Sequence, residues 1–283
     1  MRIFLSLTTM ALSVAASMAQ AGCADQEEAC EIDGGTYHIT LPDGAGDQTP
    51  AIMFIHGWGS SGQGVLRNTG MVNAAKAKGY AIIAPDGMPR EGRDGRSWSF
   101  HPQLPNQREE VPFLTAVRDD AITKHSIDPD RMILAGFSIG GSMTSYLACA
   151  APDSFTAYAP VGGGFWRPHP EGCAGPVKLL HTHGWTDGTV PLEGRVLRGD
   201  NLQDPAALAQ GDIFHTMLLW RRVNGCENLR ATEFDMGEDF WRRRWTKCSD
   251  DTALELALFP GGHRVPNGWA TMAIDWFEGL PGS

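Results

Sequence analysis

Short apolar runs divide the first two thirds of the chain. They occupy residues 51–55, 79–84, 131–135 and 177–180. Strands that are covered on both faces of a parallel sheet have this composition, because neither face meets water. Residues 36–41 instead alternate and lead into Pro-Asp-Gly, which predicts a strand followed by a turn.

Helical patterns lie between these runs, at residues 65–78, 111–125 and 141–150. Strands that alternate with helices of this length are typical of βαβ units. The sequence therefore predicts an α/β protein with a mostly parallel central sheet and helices on both faces.

The last third of the chain is less regular. Its pattern predicts a helix, two polar strands, an apolar strand and a closing amphipathic helix, at residues 212–223, 229–235, 240–246, 254–259 and 269–278. No repeat, low-complexity tract or Pro/Ser-rich linker separates this part from the rest. One domain is the simplest interpretation.

The first 21 residues have the features of an export signal. Arg2 supplies a positive charge, residues 3–18 are apolar or small, and residues 19–21 have the small-x-small pattern that signal peptidase cleaves. A transmembrane anchor is the rival interpretation, but Ser and Thr interrupt the run, which is short for a bilayer span. We expect residues 1–21 to be a signal peptide, residues 22–283 to form one domain, and the protein to be secreted or periplasmic without stable membrane insertion.

The charge balance argues against two classes of partner. The chain has 23 basic and 33 acidic residues, and removal of Arg2 with the signal leaves 22 and 33, a formal charge of −11. Nucleic acids and anionic membranes reward clustered Lys and Arg. The one basic run, residues 242–244, lies between two tryptophans and is predicted to be the surface of a strand or hairpin. We expect a monomer without a nucleic-acid partner.

The cysteine count predicts disulfides. All six cysteines follow the signal: Cys23, Cys30, Cys149, Cys173, Cys226 and Cys248. An even number in an exported chain favours disulfides, and pairing in sequence order closes the smallest loops, although other pairings stay open. No Cys-x-x-Cys spacing indicates a metal site.

Residues 136–140, Gly-Phe-Ser-Ile-Gly, match the G-x-S-x-G nucleophile elbow. The motif alone is weak in a chain with 34 glycines. However, an apolar run precedes it and a helix-compatible stretch follows, as this strained strand-to-helix turn requires. The turn also places the serine at the positive end of a helix. Ser138 is therefore the candidate nucleophile.

A serine hydroxyl needs a base to take its proton and a carboxylate to orient that base. In the α/β-hydrolase order the acid and then the histidine follow the serine. Asp187 comes after the run 177–180 and His263 after the run 254–259, so the two side chains are predicted at matching ends of adjacent strands. Asp204 and Asp235 stay open as alternative acids.

Seven other histidines fit the base less well, because they lie in or at the end of a helical pattern, beside prolines, in another element or ahead of the acid. They are His56, His101, His125, His169, His181, His183 and His215. Acyl transfer also needs N–H donors for the oxyanion. Ile139, after the nucleophile, and Trp58, in the loop after an early strand, are the candidates, with Gly57 as an alternative to Trp58.

These motifs resemble the polyhydroxybutyrate depolymerase and feruloyl esterase family of α/β-hydrolases. The matching stretches follow the family's order at residues 56–59, 84–87, 127–131, 136–141, 159–163, 183–187 and 261–263. The resemblance implies the α/β-hydrolase fold, the triad Ser138, Asp187 and His263, and no metal or organic cofactor. It also implies Cys149–Cys173 and Cys226–Cys248 bridges.

The sequence departs from the family in two respects. Ile139 stands where many relatives have a polar residue, and no appended substrate-binding domain is visible. The second departure favours small-molecule or oligomeric esters over insoluble polyester. Four loop tryptophans near the expected catalytic edge could line an aromatic pocket or simply fill space: Trp58, Trp98, Trp166 and Trp185.

We therefore expect an exported serine esterase that cleaves carboxylic esters through an acyl-enzyme. Hydroxyalkanoate oligomers and feruloyl or acetyl esters are all open as substrates. Two alternatives stay open: a peptidase of the same fold, and a non-catalytic exported binding protein.

Overall fold

The computed structural model describes residues 23–24, 28–199, 201, 204 and 207–281. The predicted signal peptide, residues 1–21, lies outside the described residues. Within them the chain forms fourteen strands: β1 (Cys30–Ile32), β2 (Gly35–Thr40), β3 (Thr49–Ile55), β4 (Ala81–Pro85), β5 (Met88–Pro89), β6 (Arg96–Ser97), β7 (Ile127–Phe137), β8 (Ala157–Val161), β9 (Lys178–Gly184), β10 (Arg195–Arg198), β11 (Leu208–Gln210), β12 (Glu233–Met236), β13 (Trp241–Trp245) and β14 (Ala253–Phe259).

The described part also contains six α-helices and one short 3₁₀ turn, Pro152–Ser154. The helices are α1 (Gly62–Leu66), α2 (Thr69–Ala77), α3 (Glu110–His125), α4 (Ile139–Ala150), α5 (Ile213–Val223) and α6 (Trp269–Glu278).

Ten of the strands form one sheet in the order β1-β2-β4-β3-β7-β8-β9-β14-β13-β12. The central strands from β4 to β14 run parallel, whereas the two strands at each end are antiparallel to their neighbours. Parallel strands bring their carboxyl ends to one edge, where ligand sites of open α/β sheets form. The mostly parallel sheet predicted from the sequence is confirmed.

Strand β3 shows why the buried strands are continuously apolar. Ala51, Met53 and Ile55 contact the apolar layer on one face, and Ile52 and Phe54 contact the layer on the other. Because successive side chains of a strand point to opposite faces, both sets must be apolar when helices cover both sides. Helices α3, α4 and α5 contribute to the first layer, and α1, α2 and α6 to the second.

The prediction of one helix over residues 65–78 is wrong. The chain forms α1 and α2 instead, with a break at Asn68, whose backbone leaves the helical region at ψ 72°. The Asn68 side chain accepts a hydrogen bond from the Met71 N–H at 3.3 Å. Asparagine satisfies the exposed donors at a helix start in this way, so it favours a new N-terminus over continuation of the first helix.

Strand β8 lies in the centre of the sheet, and the apolar pattern did not reveal it. Its sequence, Ala-Tyr-Ala-Pro-Val, places Pro160 in a strand interior, where proline has no N–H to donate. The ladder between β8 and β9 contains only the pairs Tyr158–Leu179 and Val161–Thr182. The ladder to β9 is therefore interrupted at Pro160, as expected for a residue without an N–H.

Three disulfides pair the cysteines in sequence order, Cys23–Cys30, Cys149–Cys173 and Cys226–Cys248, as predicted. The basic run lies in β13, as the strand prediction requires. Two of its arginines, Arg242 and Arg244, bind the buried carboxylate of Glu255 on β14. Among the described residues, no helix combines the length and the apolar character needed to cross a bilayer.

Candidate active site

Ser138 lies at the junction of β7 and α4, at the carboxyl edge of the sheet. Its backbone has φ 59° and ψ −122°, a strained conformation for a residue with a side chain. A Cβ on Gly136 would lie 2.4 Å from the Gly140 carbonyl oxygen, and one on Gly140 would lie 2.2 Å from that of Ile55. Both positions of the motif must therefore be glycine, and the turn has the geometry of a nucleophile elbow.

The structure brings the three residues predicted as a triad together. His263 Nε2 lies 2.8 Å from Ser138 Oγ, and His263 Nδ1 lies 2.7 Å from Asp187 Oδ2. Asp187 and His263 follow β9 and β14, which are parallel neighbours in the sheet. In this arrangement Nδ1–H donates to the carboxylate, and Nε2 is free to accept the serine proton.

The Asp187 carboxylate is held on both of its oxygens. Oδ1 accepts hydrogen bonds from the N–H groups of Thr189 (2.9 Å) and Val190 (2.8 Å), which leaves Oδ2 to His263. Burial raises the pKa of Asp187, but the hydrogen bonds from His263 and Val190 outweigh it, so that the pKa stays below its ordinary value. The group is therefore ionised at neutral pH, as an orienting carboxylate must be.

A buried histidine pair supports the turn that carries Asp187. His183 Nε2 donates to the Val190 carbonyl at 2.8 Å, and His183 Nδ1 lies 3.2 Å from His181 Nε2. Burial lowers the pKa of both rings, so they are neutral. The Val190 N–H also donates to Asp187, so His183 holds in place the backbone segment that positions the Asp187 carboxylate. The sequence analysis excluded both histidines as bases without assigning this supporting role.

The loop after β3 borders the nucleophile. A Cβ on Gly57 would lie 3.4 Å from Ser138 Cβ, so this loop approaches the elbow closely. Trp58 follows in the same loop. Ile139 is the first residue of α4, and the N–H groups in the first turn of a helix have no acceptor within the helix. The two residues predicted as oxyanion donors thus flank Ser138.

His56 fixes this loop, a role that the sequence analysis missed. Its Nε2 accepts the Gly87 N–H at 3.0 Å, so the proton of the neutral ring is on Nδ1, which donates to the Gly57 carbonyl at 2.8 Å. The Ser60 N–H also donates to this carbonyl, at 3.2 Å. Because the C=O and N–H of a trans peptide point in opposite directions, these bonds also set the direction of the Trp58 N–H. Burial lowers the pKa of His56 to about 4.

Asp86 stabilises the neighbouring loop. Its carboxylate accepts hydrogen bonds from the Gly62 N–H and the Thr36 hydroxyl, both at 2.9 Å, and His38 and Arg96 lie within 3.5 Å of it. Burial raises the pKa of Asp86, but the hydrogen bonds more than offset this and lower it to about 2.

A pocket of about 390 Å³ opens at the triad. Ser138, His263, Phe137 and Trp58 are among its lining residues. Of the four loop tryptophans, only Trp58 contributes to this pocket: Trp98 and Trp166 are buried, and Trp185 packs edge-on against Trp241. Besides Trp58, the phenylalanines Phe54 and Phe137 line this pocket.

Within the described residues, two groups bring three metal-ligand atoms within 4.8 Å of one another. One contains the disulfide-bonded Cys23 and Cys30. The other consists of His169, Asp212 and His215, and there Arg167 lies 3.4 Å from the Asp212 carboxylate, where it would repel a cation. That the chemistry needs no metal stays a prediction. The alternative acid Asp235 pairs with Arg244 on the outer hairpin rather than with His263.

Comparison with known proteins finds relatives that are similar to parts of this chain. The model of the prolyl oligopeptidase family matches residues 69–165, a segment that includes Ser138 and ends before Asp187. NocK of Nocardia uniformis subsp. tsuyamanensis is 32% identical over 159 residues, 54% of this chain and 43% of that protein. Feruloyl esterase C of Emericella nidulans is 29% identical over 176 residues, 59% of this chain and 60% of that protein. The chain thus spans less than two thirds of the length of either relative.

Solved structures extend the likeness over most of the chain. Acetyl xylan esterase from Aspergillus awamori has a TM-score of 0.63 at 15% identity, covering 87% of this chain and 94% of that one. Esterase PE8 has a TM-score of 0.54 at 17% identity, covering 86% and 97%. At these identities the likeness concerns the fold alone. Together with the strand order and the nucleophile elbow, these matches show that the chain has the α/β-hydrolase fold.

Proposed function

We propose that the protein is an exported serine esterase that hydrolyses carboxylic esters through an acyl-enzyme. The hydrogen-bonded series Ser138–His263–Asp187 at the mouth of a pocket carries this proposal. In serine hydrolases such a series activates a hydroxyl for attack on a carbonyl.

In the first step His263 Nε2 takes the Ser138 proton while Oγ attacks the ester carbonyl. Asp187 stabilises the imidazolium that forms. Collapse of the tetrahedral intermediate expels the alcohol, which receives its proton from His263. Water then repeats the cycle on the acyl-enzyme and releases the acid.

The Trp58 and Ile139 N–H groups stabilise the oxyanion in this proposal. Three observations support it: the loop carrying Trp58 packs on Ser138, the Gly57–Trp58 peptide is oriented by His56, and Ile139 begins a helix. The positive end of α4 adds to the stabilisation of negative charge at this point.

The substrate class follows from the relatives and the pocket. Feruloyl and acetyl xylan esterases are among the similar proteins, and the resemblance found in the sequence adds hydroxyalkanoate oligomers. A volume of about 390 Å³ lies in the range of small-molecule sites, about 300–1,000 Å³. We infer that the enzyme acts as a monomer on small or oligomeric esters.

Two features support export. Residues 1–21 have the pattern of a cleavable signal peptide, after which residues 22–283 form a single catalytic domain. Three disulfides support an oxidising destination, the periplasm or the medium.

Purified mature protein tests the proposal with p-nitrophenyl acetate and butyrate, with methyl ferulate, and with a fluorophosphonate label. We expect hydrolysis and labelling, and loss of both in Ser138→Ala. Absence of hydrolysis together with absence of labelling would overturn it.

A peptidase is the second candidate, because the matching family model is that of the prolyl oligopeptidases. That match ends before Asp187 and His263, so it covers the elbow but not the acid or the base. Prolyl p-nitroanilides distinguish the two functions: rapid release of p-nitroaniline would favour the peptidase. A folded protein that cleaves neither ester nor anilide would favour the non-catalytic binding protein.

A further inference from the structure

Three arginines collect beside the active site of a chain whose formal net charge is −10. A second pocket, of about 400 Å³, adjoins the catalytic one, and Trp58 contributes to both. Its wall contains Arg90, Arg93 and Arg198 against a single carboxylate, Glu91. The local excess of positive charge opposes the charge of the whole protein.

Direct packing connects this pocket to the nucleophile. The loop at residues 57–59 contacts Ser138 through Gly57, as described above. At its other end the Gly59 N–H donates to the Arg96 carbonyl at 2.9 Å, and a Cβ on Gly95 would lie 2.1 Å from the Gly59 carbonyl oxygen. The segment that carries Arg90 and Arg93 is therefore packed against the loop that borders Ser138.

Among the described residues, no carboxylate forms an ion pair with any of these arginines. The Arg90 guanidinium lies 4.0 Å above the Trp58 ring and donates to the Asp94 carbonyl at 2.9 Å, contacts that orient it without cancelling its charge. Neither Arg93 nor Arg198 forms an ion pair with a carboxylate of the residues that the structure describes. Arg108, by contrast, lies 2.7 Å from Glu110. The pocket thus presents cationic groups that an anionic ligand can approach.

Part of the lining of the same pocket is apolar. Trp98, Leu104 and Pro105 contribute to it, and the Trp58 side chain, 58% exposed, forms the border with the catalytic pocket. Guanidinium groups in a pocket that also has apolar and aromatic lining suit a ligand with an apolar body and a carboxylate end, because arginine matches the carboxylate in shape and donor geometry.

We propose that this pocket, defined by Trp58, Arg90, Arg93 and Arg198, is an anionic subsite that binds a carboxylate carried by the ester substrate. The inference rests on the proposed esterase function and narrows its substrate class to esters with a free carboxylate in the acid or the alcohol portion. A short hydroxyalkanoate oligomer, which ends in a carboxylate, has this chemistry.

Matched ester pairs test the subsite. For the acid portion, mono-p-nitrophenyl adipate is compared with its terminal carboxamide. For the alcohol portion, the butyrate ester of 4-hydroxybenzoate is compared with that of 4-hydroxybenzamide. Each pair differs in charge and hardly in shape. We expect kcat/KM to favour the carboxylate by about 3- to 10-fold in at least one pair at low salt, with the preference reduced at 0.5 M NaCl.

The variants Arg93→Gln with Arg198→Gln, and separately Arg90→Gln, should bring the ratio of the two kcat/KM values towards 1. Arg93→Lys with Arg198→Lys, which keeps the charge, should retain most of the preference. Arg230→Gln is the matched control, because this exposed arginine lies just before β12 at the far edge of the sheet. It should leave the ratio unchanged. Thermal unfolding followed by circular dichroism verifies that each variant is folded.

The outcomes separate the two proposals. Equal kcat/KM for both members of both pairs overturns the subsite and leaves the esterase intact. The subsite is also overturned if the arginine-to-glutamine variants in the pocket keep the same preference for the carboxylate ester as Arg230→Gln does. Other cations would then be responsible for the preference. If the unaltered enzyme cleaves neither charged nor neutral esters, the esterase function fails and the subsite with it.

Discussion

His56→Phe removes two hydrogen bonds from the loop beside the nucleophile while it keeps a ring of similar size. The buried His56 ring accepts from the Gly87 N–H and donates to the Gly57 carbonyl, and it packs against Trp98 with 4.9 Å between ring centroids. Phenylalanine keeps the packing and forms neither hydrogen bond. The variant therefore tests whether His56 positions the Gly57–Trp58 peptide.

The stability cost follows from the groups left behind. The Gly57 carbonyl keeps the Ser60 N–H, so this loss is about 1 kcal/mol. The Gly87 N–H loses a buried acceptor, which costs about 1–3 kcal/mol. The total, about 2–4 kcal/mol, is below the stability of a typical domain, about 5–15 kcal/mol. We expect a folded variant with a melting temperature lower by roughly 5–15 °C.

The catalytic cost has a different origin. Removal of one oxyanion donor typically lowers kcat by about 10²–10³. Since His56→Phe misdirects the Trp58 N–H without removing it, we expect kcat to fall about 10- to 100-fold. KM should change little, because the interaction is made in the transition state and not with the bound ester.

The chain offers a matched control in His101. This buried ring also contacts a carbonyl, Pro168 O at 3.3 Å, and accepts from a backbone N–H, that of Gln103 at 3.2 Å, but it does not contact the loop beside Ser138. His101→Phe should lower stability similarly and leave kcat within a few-fold of the unaltered enzyme. Steady-state kinetics with p-nitrophenyl butyrate and thermal unfolding measure both quantities. Equal kcat losses in the two variants, or full kcat in His56→Phe, would refute the positioning role.

Three further predictions concern the acid, the elbow and the buried histidines. Asp187→Asn should lower kcat by about 10⁴, because an amide in place of the triad carboxylate favours the wrong tautomer of the histidine. The control Asp235→Asn should leave kcat unchanged. Near-normal turnover in Asp187→Asn would show that another carboxylate is the acid. Gly140→Ala should abolish soluble, active enzyme, because its Cβ would lie 2.2 Å from the Ile55 carbonyl oxygen. In the control Gly172→Ala the new Cβ has no atom within 4 Å, so this variant should yield normal protein. Equal yields of the two variants would contradict the steric argument. The free energy of unfolding should fall as the pH is lowered from about 6.5 towards 4, by up to about 1.4 kcal/mol per pH unit for each such histidine. The reason is that His56 and His169 have pKa values of about 4 when folded, so only the unfolded chain takes up their protons in this range; equal urea midpoints at pH 7 and pH 4.5 would refute it.

Much of the fold could be predicted because burial on both faces leaves a direct mark on the sequence. The apolar runs that become β3, β4, β7, β9 and β14 were found for this reason. The bounds of α6 were predicted from a different signal, its amphipathic helical pattern. The positions of Ser138, Asp187 and His263 were predictable as well. Each follows such a run, and the ends of parallel strands meet at one edge.

Other features escaped because local signals conflict with tertiary context. Proline in Ala-Tyr-Ala-Pro-Val argues against a central strand, yet β8 is one. Periodicity continues through Asn68, yet its side chain begins a new helix. Neither conflict can be resolved from the residues alone, because the deciding contacts come from the neighbouring strands and from a single capping bond.

The histidines illustrate a further limit. His56 was excluded as the base because it lies in a different element, and His183 because it precedes the acid in the chain. Neither argument indicates which groups the two rings contact. Their partners are backbone groups, Gly57 and Gly87 for His56 and Val190 for His183, and backbone groups have no signature in sequence.

His183 and His56 stabilise different parts of the site. His183 holds the turn of Asp187 at the end of β9, whereas His56 holds the loop after β3 on the other side of Ser138. Substitution of His183 would disturb the Asp187 carboxylate, which orients His263. Substitution of His56 would disturb the Trp58 N–H, which is proposed to bind the oxyanion. The first should alter the pH dependence of turnover, since it changes the environment of the base, and the second should lower kcat at every pH. The elbow itself is held by close backbone approaches at Gly136 and Gly140 that involve neither histidine side chain, so substitution of either ring should leave the serine in place.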